Sequence, residues 1–210
     1  MSRRDDLLTF ADTVKGFMPR NEGLALHEMA RSHRAARGGT WLEVGAWCGK
    51  SAVYLGAAAE PSGAVLYSLD HHHGSEENQE GWDHFDQSLV DSVDGRLNTL
   101  PTWQRTIADA GLESTVVGLI GPSTVVAAHF DQPLDILFID GGHGADVAWA
   151  DYEAWTPKIV KGGLLMIHDV FENPADGGRP PYEIYLRALE SGNFVDVSNE
   201  GSLRVLARTI

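Results

Sequence analysis

Apolar positions along the chain switch repeatedly between helical and strand spacing. Segments 5–17 and 22–37 carry apolar residues at helical intervals. The second opens after Pro19, with Asn21 as a candidate cap, and Gly38-Gly39 stops it. Segment 40–45 predicts a short buried strand, followed by a Gly-bearing turn and a helix from about residue 50 to residue 59. A second strand, 64–69, ends at Asp70. Residues 71–86 show no period and predict a long loop. A helix over 97–110, a strand over 115–120 and a helix over 124–129 follow. Segment 134–139 is almost continuously apolar up to Asp140, the pattern of a central parallel strand covered on both faces. Then come a helix over 145–155, a strand over 164–168 and a helix over 182–191. A hairpin pairing 194–199 with 202–207 around Glu200-Gly201 closes the chain. Strands alternating with helices predict an α/β fold: a doubly wound, mostly parallel, Rossmann-like sheet closed by a C-terminal antiparallel hairpin. With no repeat and no composition break, residues 1–210 read as one domain. Segment 1–39 forms an N-terminal helical cap, and 71–95 a lid loop over the acceptor.

Charge narrows the range of partners. The formal net charge is −14, and the one dense basic group, Arg31, Arg34 and Arg37, has the spacing of a solvated helix face. Nucleic-acid binders draw affinity from Lys and Arg on phosphates, so neither nucleic acid nor an anionic membrane is an expected partner. No apolar run reaches the ~18 residues that span a bilayer. The early basic residues are not followed by an apolar signal core. A single cysteine, Cys48, excludes an internal disulfide framework and suits a reducing, cytoplasmic setting.

In a doubly wound sheet, ligands sit beyond the carboxyl ends of the strands. The polar segments Glu43–Ser51, Asp70–His73, Gly121–Ser123, Asp140–His143 and His168-Asp169 all fall there. Gly45 and Gly49 let the backbone approach a ligand, and the helix starting near Ser51 offers free N–H groups to a carboxylate. Glu43 could accept from an ammonium group, and Asp70 could take both ribose hydroxyls. Together they suit S-adenosylmethionine. A dinucleotide site would show G-x-G-x-x-G, whereas Trp47 occupies the second glycine position and leaves little room for a pyrophosphate.

The stretch Leu42-Glu-Val-Gly-Ala-Trp-Cys-Gly-Lys-Ser-Ala-Val53 resembles the first motif of class I S-adenosylmethionine-dependent methyltransferases, in the metal-dependent branch of catechol and sugar O-methyltransferases. The likeness extends over roughly residues 40–170. It implies a Rossmann-like methyltransferase sheet whose cofactor is touched by Glu43, Gly45, Trp47, Gly49, Ser51, Asp70, His71, Ser123 and Asp140, with Ser123 on the adenine. A homodimer is a further implication of the family.

Asp140, His168 and Asp169 end strands expected to be neighbours, so their side chains could share one ion. The catechol branch has an all-oxygen trio there, and His168 departs from it. Carboxylates and water favour Mg2+, while an imidazole admits Mn2+. His143 stands where that branch has its catalytic lysine and could act as general base. In the lid, His71 would flank the adenine, and His72, His73 and Trp82 are acceptor candidates. Trp103 and Trp149 read more simply as core than as a sugar-stacking face, and Glu22 as an ordinary helix-start acid rather than a cap on the cofactor pocket. The pair of stretches Asp140-Gly-Gly-His143 and Gly162-Gly-Leu-Leu-Met-Ile-His-Asp169 resembles bacterial glycan and antibiotic-sugar methyltransferases, including enzymes of the methylmannose polysaccharide pathway. The resemblance implies transfer of a methyl group to a hydroxyl of a small acceptor, a sugar before a phenol or macrolide. Two readings from other classes stand beside it: an NAD-dependent oxidoreductase and a non-catalytic S-adenosylmethionine-binding module.

Overall fold

The structure is a computed structural model that describes residues 2–210 except 34–37, 83, 143 and 174. Seven strands form one sheet: β1 (Thr40–Val44), β2 (Val65–Asp70), β3 (Val116–Ile120), β4 (Leu134–Ile139), β5 (Ile159–Ile167), β6 (Phe194–Glu200) and β7 (Leu203–Arg208). Their order is β3-β2-β1-β4-β5-β7-β6. The first five run parallel, and β7 and β6 add as antiparallel neighbours beyond β5. Strand order reverses between β1 and β4, so a crevice opens at their carboxyl ends.

Helices cover both faces. On one side lie α1 (Arg3–Thr13), α2 (Arg20–Ser32), α3 (Lys50–Ser62) and α4 (Leu100–Asp109). On the other lie α5 (Ser123–Ala127), α6 (Ala145–Trp155) and α7 (Pro180–Glu190). The two-residue period of the strands sorts side chains between these layers. Ile136, Phe138, Leu164 and Met166 pack under the first set of helices, while Leu137, Ile139, Leu165 and Ile167 pack under the second. Double coverage is why β4, apart from Asp135, and the end of β5 read as apolar runs.

The predicted strands and closing hairpin are present, with shifts at their ends. Helix α1 opens with a reciprocal cap: the Asp5 N–H donates to Ser2 Oγ at 3.2 Å, and the Ser2 N–H donates to Asp5 Oδ2 at 3.3 Å. It ends at Thr13, short of the expected residue 17. Asn21 is not the cap of α2. Pro19 holds that position, and the Asn21 side chain donates to Glu200 at 2.8 Å. Strand β5 begins five residues early because a register shift opposite β4 absorbs Gly162 and Gly163, which read in sequence as a break. Among its described residues, the long loop after β2 carries two single helical turns, Glu76–Asn78 and Gln87–Leu89, and one isolated bridge, Val90 to Leu97. Of the basic group, Arg31 pairs with Glu28, and Arg34 and Arg37 lie outside the described residues. Among the described residues, no helix is long and apolar enough to cross a membrane. Cys48 is free and buried, and burial pushes its thiol up to about 12.

Candidate active site

The turn after β1 is shaped by contact with the neighbouring strand end. Gly45 takes φ +97°, and a β-carbon there would run into the Asp140 carbonyl oxygen. Only glycine lets the β1 and β4 ends close up in this way. Gly49 caps α3 without any side-chain hydrogen bond to the first turn, leaving the helix N–H groups open to an anionic ligand. Asp70 is aimed by two backbone donors. The Trp47 N–H reaches Oδ2 at 2.8 Å, and the His72 N–H reaches Oδ1 at 2.7 Å. Each oxygen keeps a lone pair for a further donor. Trp47 (φ 45°), His72 (φ 62°) and Asp169 (φ 55°) are the non-glycine residues with left-handed backbone among those described. All three follow carboxyl ends of strands, as strained residues at functional sites often do.

Glu43 has a different place from the one its sequence position suggests. It is fully buried, with Ser51 Oγ donating to Oε2 at 2.8 Å and Ser68 Oγ donating to Oε1. Trp103 Nε1 donates to Ser68 Oγ at 3.0 Å, so the carboxyl group anchors a chain of hydrogen bonds joining β1, α3, β2 and α4. Burial pushes Glu43 up to about 7. The two serine hydroxyls oppose that rise, and the charges of Asp140 and Asp70 add to it. The group sits behind the Gly-bearing turn as a strut between strands and helices.

Ser123 is likewise engaged. Trp155 Nε1 donates to its Oγ at 2.8 Å, and Ser123 also bonds Asp151, a buried carboxylate on α6 that the sequence pattern did not single out. Burial raises Asp151 to about 6, against the pull of Ser123.

The ends of β4 and β5 bring the predicted trio together. Asp140, His168 and Asp169 each offer a ligand atom, all within 4.8 Å of one another. His168 Nδ1 lies 2.9 Å from Asp140 Oδ1 and 3.3 Å from Asp169 Oδ2. Neighbouring ligands around a magnesium-class ion, each about 2.1 Å from it, stand roughly 3 Å apart. The trio fits such an ion on one face. Behind it, His168 Nε2 meets Glu22 Oε2 at 2.5 Å, which contradicts the reading of Glu22 as an ordinary helix-start acid. Glu22 is buried at 5% exposure, and Ser202 donates to it from both its N–H (2.8 Å) and its hydroxyl (3.0 Å). Burial works against the charged form of His168, yet Asp140, Asp169 and Glu22 outweigh it and raise the imidazole well above its ordinary value. Burial also opposes ionisation of Glu22, but the bonds from His168 and Ser202 hold its carboxyl below the usual range.

The histidine run divides. His71 and His73 are exposed and stack at 6.0 Å between centroids, and His73 Nδ1 meets the Leu97 carbonyl at 3.0 Å. His72 is turned inward at 1% exposure, with Nδ1 2.7 Å from Thr99 Oγ1. Burial lowers its pKa. Trp82 is exposed, whereas Trp103 is core. His143 lies outside the described residues. A cavity of about 580 Å³ opens beside Trp47, lined by Lys15, Phe17, Lys50, His84 and Asp86 among others. Phe17 packs 5.7 Å from Trp47 and 4.7 Å from His84, centroid to centroid, an aromatic wall that the helical spacing of segment 5–17 concealed.

A family model described as a methyltransferase domain matches residues 42–170, more than half of the chain and every strand end described above except the closing hairpin. The chain belongs to this methyltransferase family. Solved structures agree with the family's fold. The Streptomyces achromogenes O-methyltransferase TomG, involved in tomaymycin synthesis and solved with SAM, is 14% identical (TM-score 0.66, covering 100% of this chain and 91% of that one). A Bacillus cereus O-methyltransferase in complex with SAH is also 14% identical (TM-score 0.64, 100% and 91%). MycE of the mycinamycin biosynthetic pathway, in complex with Mg and SAH, is 17% identical (TM-score 0.59, 99% of this chain and 55% of that one). The methyltransferase thus shares the mixed seven-stranded sheet of O-methyltransferases, antiparallel strands included.

Proposed function

We propose that this methyltransferase uses S-adenosylmethionine and a divalent cation, Mg2+ before Mn2+, to methylate a hydroxyl of a small acceptor, a sugar or oligosaccharide of the methylated-mannoside kind before a phenol or macrolide. The observation that carries the reading is the meeting of Asp140, His168 and Asp169 beside the Gly45 turn. Support for the donor comes from the open N-terminus of α3, the aimed carboxylate of Asp70, and the SAM and SAH bound by TomG and the Bacillus cereus enzyme. The Mg bound by MycE supports the cation.

When bound, the donor supplies an electrophilic methyl group, and the cation lowers the pKa of the acceptor hydroxyl. The chain's own residues do the rest. Asp70 accepts from the ribose hydroxyls, and Gly45, Trp47, Gly49 and Ser51 shape the floor of the pocket. His71, exposed next to Asp70, flanks the adenine. Ser123 reaches the adenine side together with Asp151. His143, three residues beyond Asp140, takes the hydroxyl proton. Trp82 and His73, on the 71–95 lid, face the acceptor. The domain works as a single unit in the cytoplasm, paired as a homodimer by family resemblance, and the net charge of −14 disfavours nucleic acid and membrane partners.

A methyl-transfer screen over sugars, phenols and macrolides, run with Mg2+, with Mn2+ and with EDTA, tests the reading. It expects turnover on a hydroxylated sugar that EDTA abolishes, and a drop of about 10²–10⁴-fold in His143→Ala with cofactor affinity kept. EDTA-resistant turnover would remove the cation. Binding of NAD in calorimetry, with no response to S-adenosylhomocysteine, would favour an oxidoreductase.

A further inference from the structure

We infer that Glu22 is a positioning residue of the cation site, holding the Nε2–H of His168 so that Nδ1 is the atom turned toward the ion between Asp140 and Asp169. The inference rests on the cation reading above and adds to it a residue from outside the matched family segment.

An imidazole has two nitrogens, and the partner of one sets the role of the other. Glu22 Oε2, 2.5 Å from Nε2, is an acceptor, so the ring proton belongs on Nε2. Nδ1 faces the two aspartates at 2.9 and 3.3 Å, with its lone pair available once an ion displaces any second proton. Carboxylates behind metal-bound histidines work in this way, fixing the tautomer and ring orientation and strengthening the ligand.

Glu22 is itself held in place. Ser202, in the β6–β7 turn, donates to both of its oxygens. The neighbouring Gly201 takes φ +55°, and a β-carbon there would collide with Glu22 Oε1. Three segments far apart in sequence converge: Glu22 is 146 positions from His168 and 180 from Ser202. Burying a carboxylate is costly unless its charge is answered, so a helix-start acid with no further task would sit in solvent. An orienting role for a buried ligand accounts for its burial.

The experiment titrates Mn2+ into the S-adenosylhomocysteine-bound protein, following loss of the free-ion EPR signal and the nitrogen coupling to bound Mn2+. Wild type should bind one ion with an imidazole coupling, and Asp169→Ala should lose it. Glu22→Ala should weaken Mn2+ binding about 10–100-fold. Glu22→Gln, whose side-chain carbonyl still accepts from Nε2–H, should lose less. S-adenosylhomocysteine affinity should stay level in both Glu22 variants. Unchanged Mn2+ affinity in the Glu22 variants, against a wild type that binds, overturns the inference and leaves the cation reading standing. Equal losses of Mn2+ and S-adenosylhomocysteine affinity assign Glu22 to folding alone and also overturn it. A wild type that takes up no Mn2+ overturns the cation reading and the inference with it.

Discussion

Glu22 and Glu43 are the same residue type at nearly the same burial, 5% and 0% exposed, yet they hold opposite protonation tendencies. Glu43 is surrounded by neutral hydroxyls and by the charges of Asp70 and Asp140, and burial pushes it up to about 7. Glu22 faces the imidazole of His168 and is held below the ordinary range. Burial does not settle whether a carboxyl group is charged; the partner does. One glutamate therefore works as a proton-retaining fastener between strands, the other as a charged post behind the candidate cation site.

The largest break in that contrast is His168→Ala. It leaves Glu22 buried with its counter-charge gone, and removing one partner of such a pair costs about 3–5 kcal/mol. Urea unfolding at neutral pH should read that loss, and an unchanged midpoint would mean that Glu22 takes up a proton at little cost. The next test is a matched pair of Glu→Gln substitutions read against pH. A raised folded pKa means the native state binds more protons between 4.5 and about 7, so Glu43 lowers stability as pH climbs through that window. Glu43→Gln should therefore stabilise at pH 8 by on the order of 2–3 kcal/mol, and by much less near pH 5. Glu22, with a lowered folded pKa, contributes stability that is present above 4.5 and lost as pH falls through its folded value. Glu22→Gln should destabilise at neutral pH, with the deficit shrinking in acid. Two variants with the same pH slope would erase the distinction.

A smaller effect separates a third carboxylate, Asp70, which is held by backbone N–H groups rather than by serines or an imidazole. Asp70→Ala should weaken S-adenosylhomocysteine binding by roughly 1.5–3 kcal/mol in calorimetry, the worth of a hydrogen bond to a charged group, with little change in unfolding. The smallest is a surface control. Lys15 Nζ lies 2.5 Å from Asp86, and that contact holds Asp86 down to about 2, but both side chains are a third or more exposed. Solvent screening limits Lys15→Ala to less than about 1 kcal/mol in the same unfolding assay.

Much of the fold was legible because periodicity is local. The apolar run 134–139 and the Gly-bearing turn after Val44 carry their meaning within a few residues. Asp140, His168 and Asp169 were legible for a related reason: each ends a strand, and parallel strands bring their ends to one edge. What escaped depends on distant partners. Glu22 reads as a helix-start acid until Ser202 and His168 arrive beside it. Asp151 hides within a helix whose other residues explain themselves by packing. The alternation of the three lid histidines, with His72 turned in and its neighbours out, follows from a bond to Thr99 across a loop with no period of its own. The start of β5 was hidden by glycines that ordinarily punctuate a chain.

The span from Glu22 to Ser202 also constrains how the molecule is made. On a ribosome, α2 emerges early, and its acid has to wait for 180 further residues before Ser202 can close over it. Until then α2 can pack on α3 through residues such as Leu26 and Ala30, but Glu22 lacks the donors of Ser202, and the β5 edge that β7 covers stays open to other chains. Completion of the charged post is thus one of the last events of biogenesis, so a nascent chain gains the finished candidate cation pocket only when nearly the whole sheet is already in place.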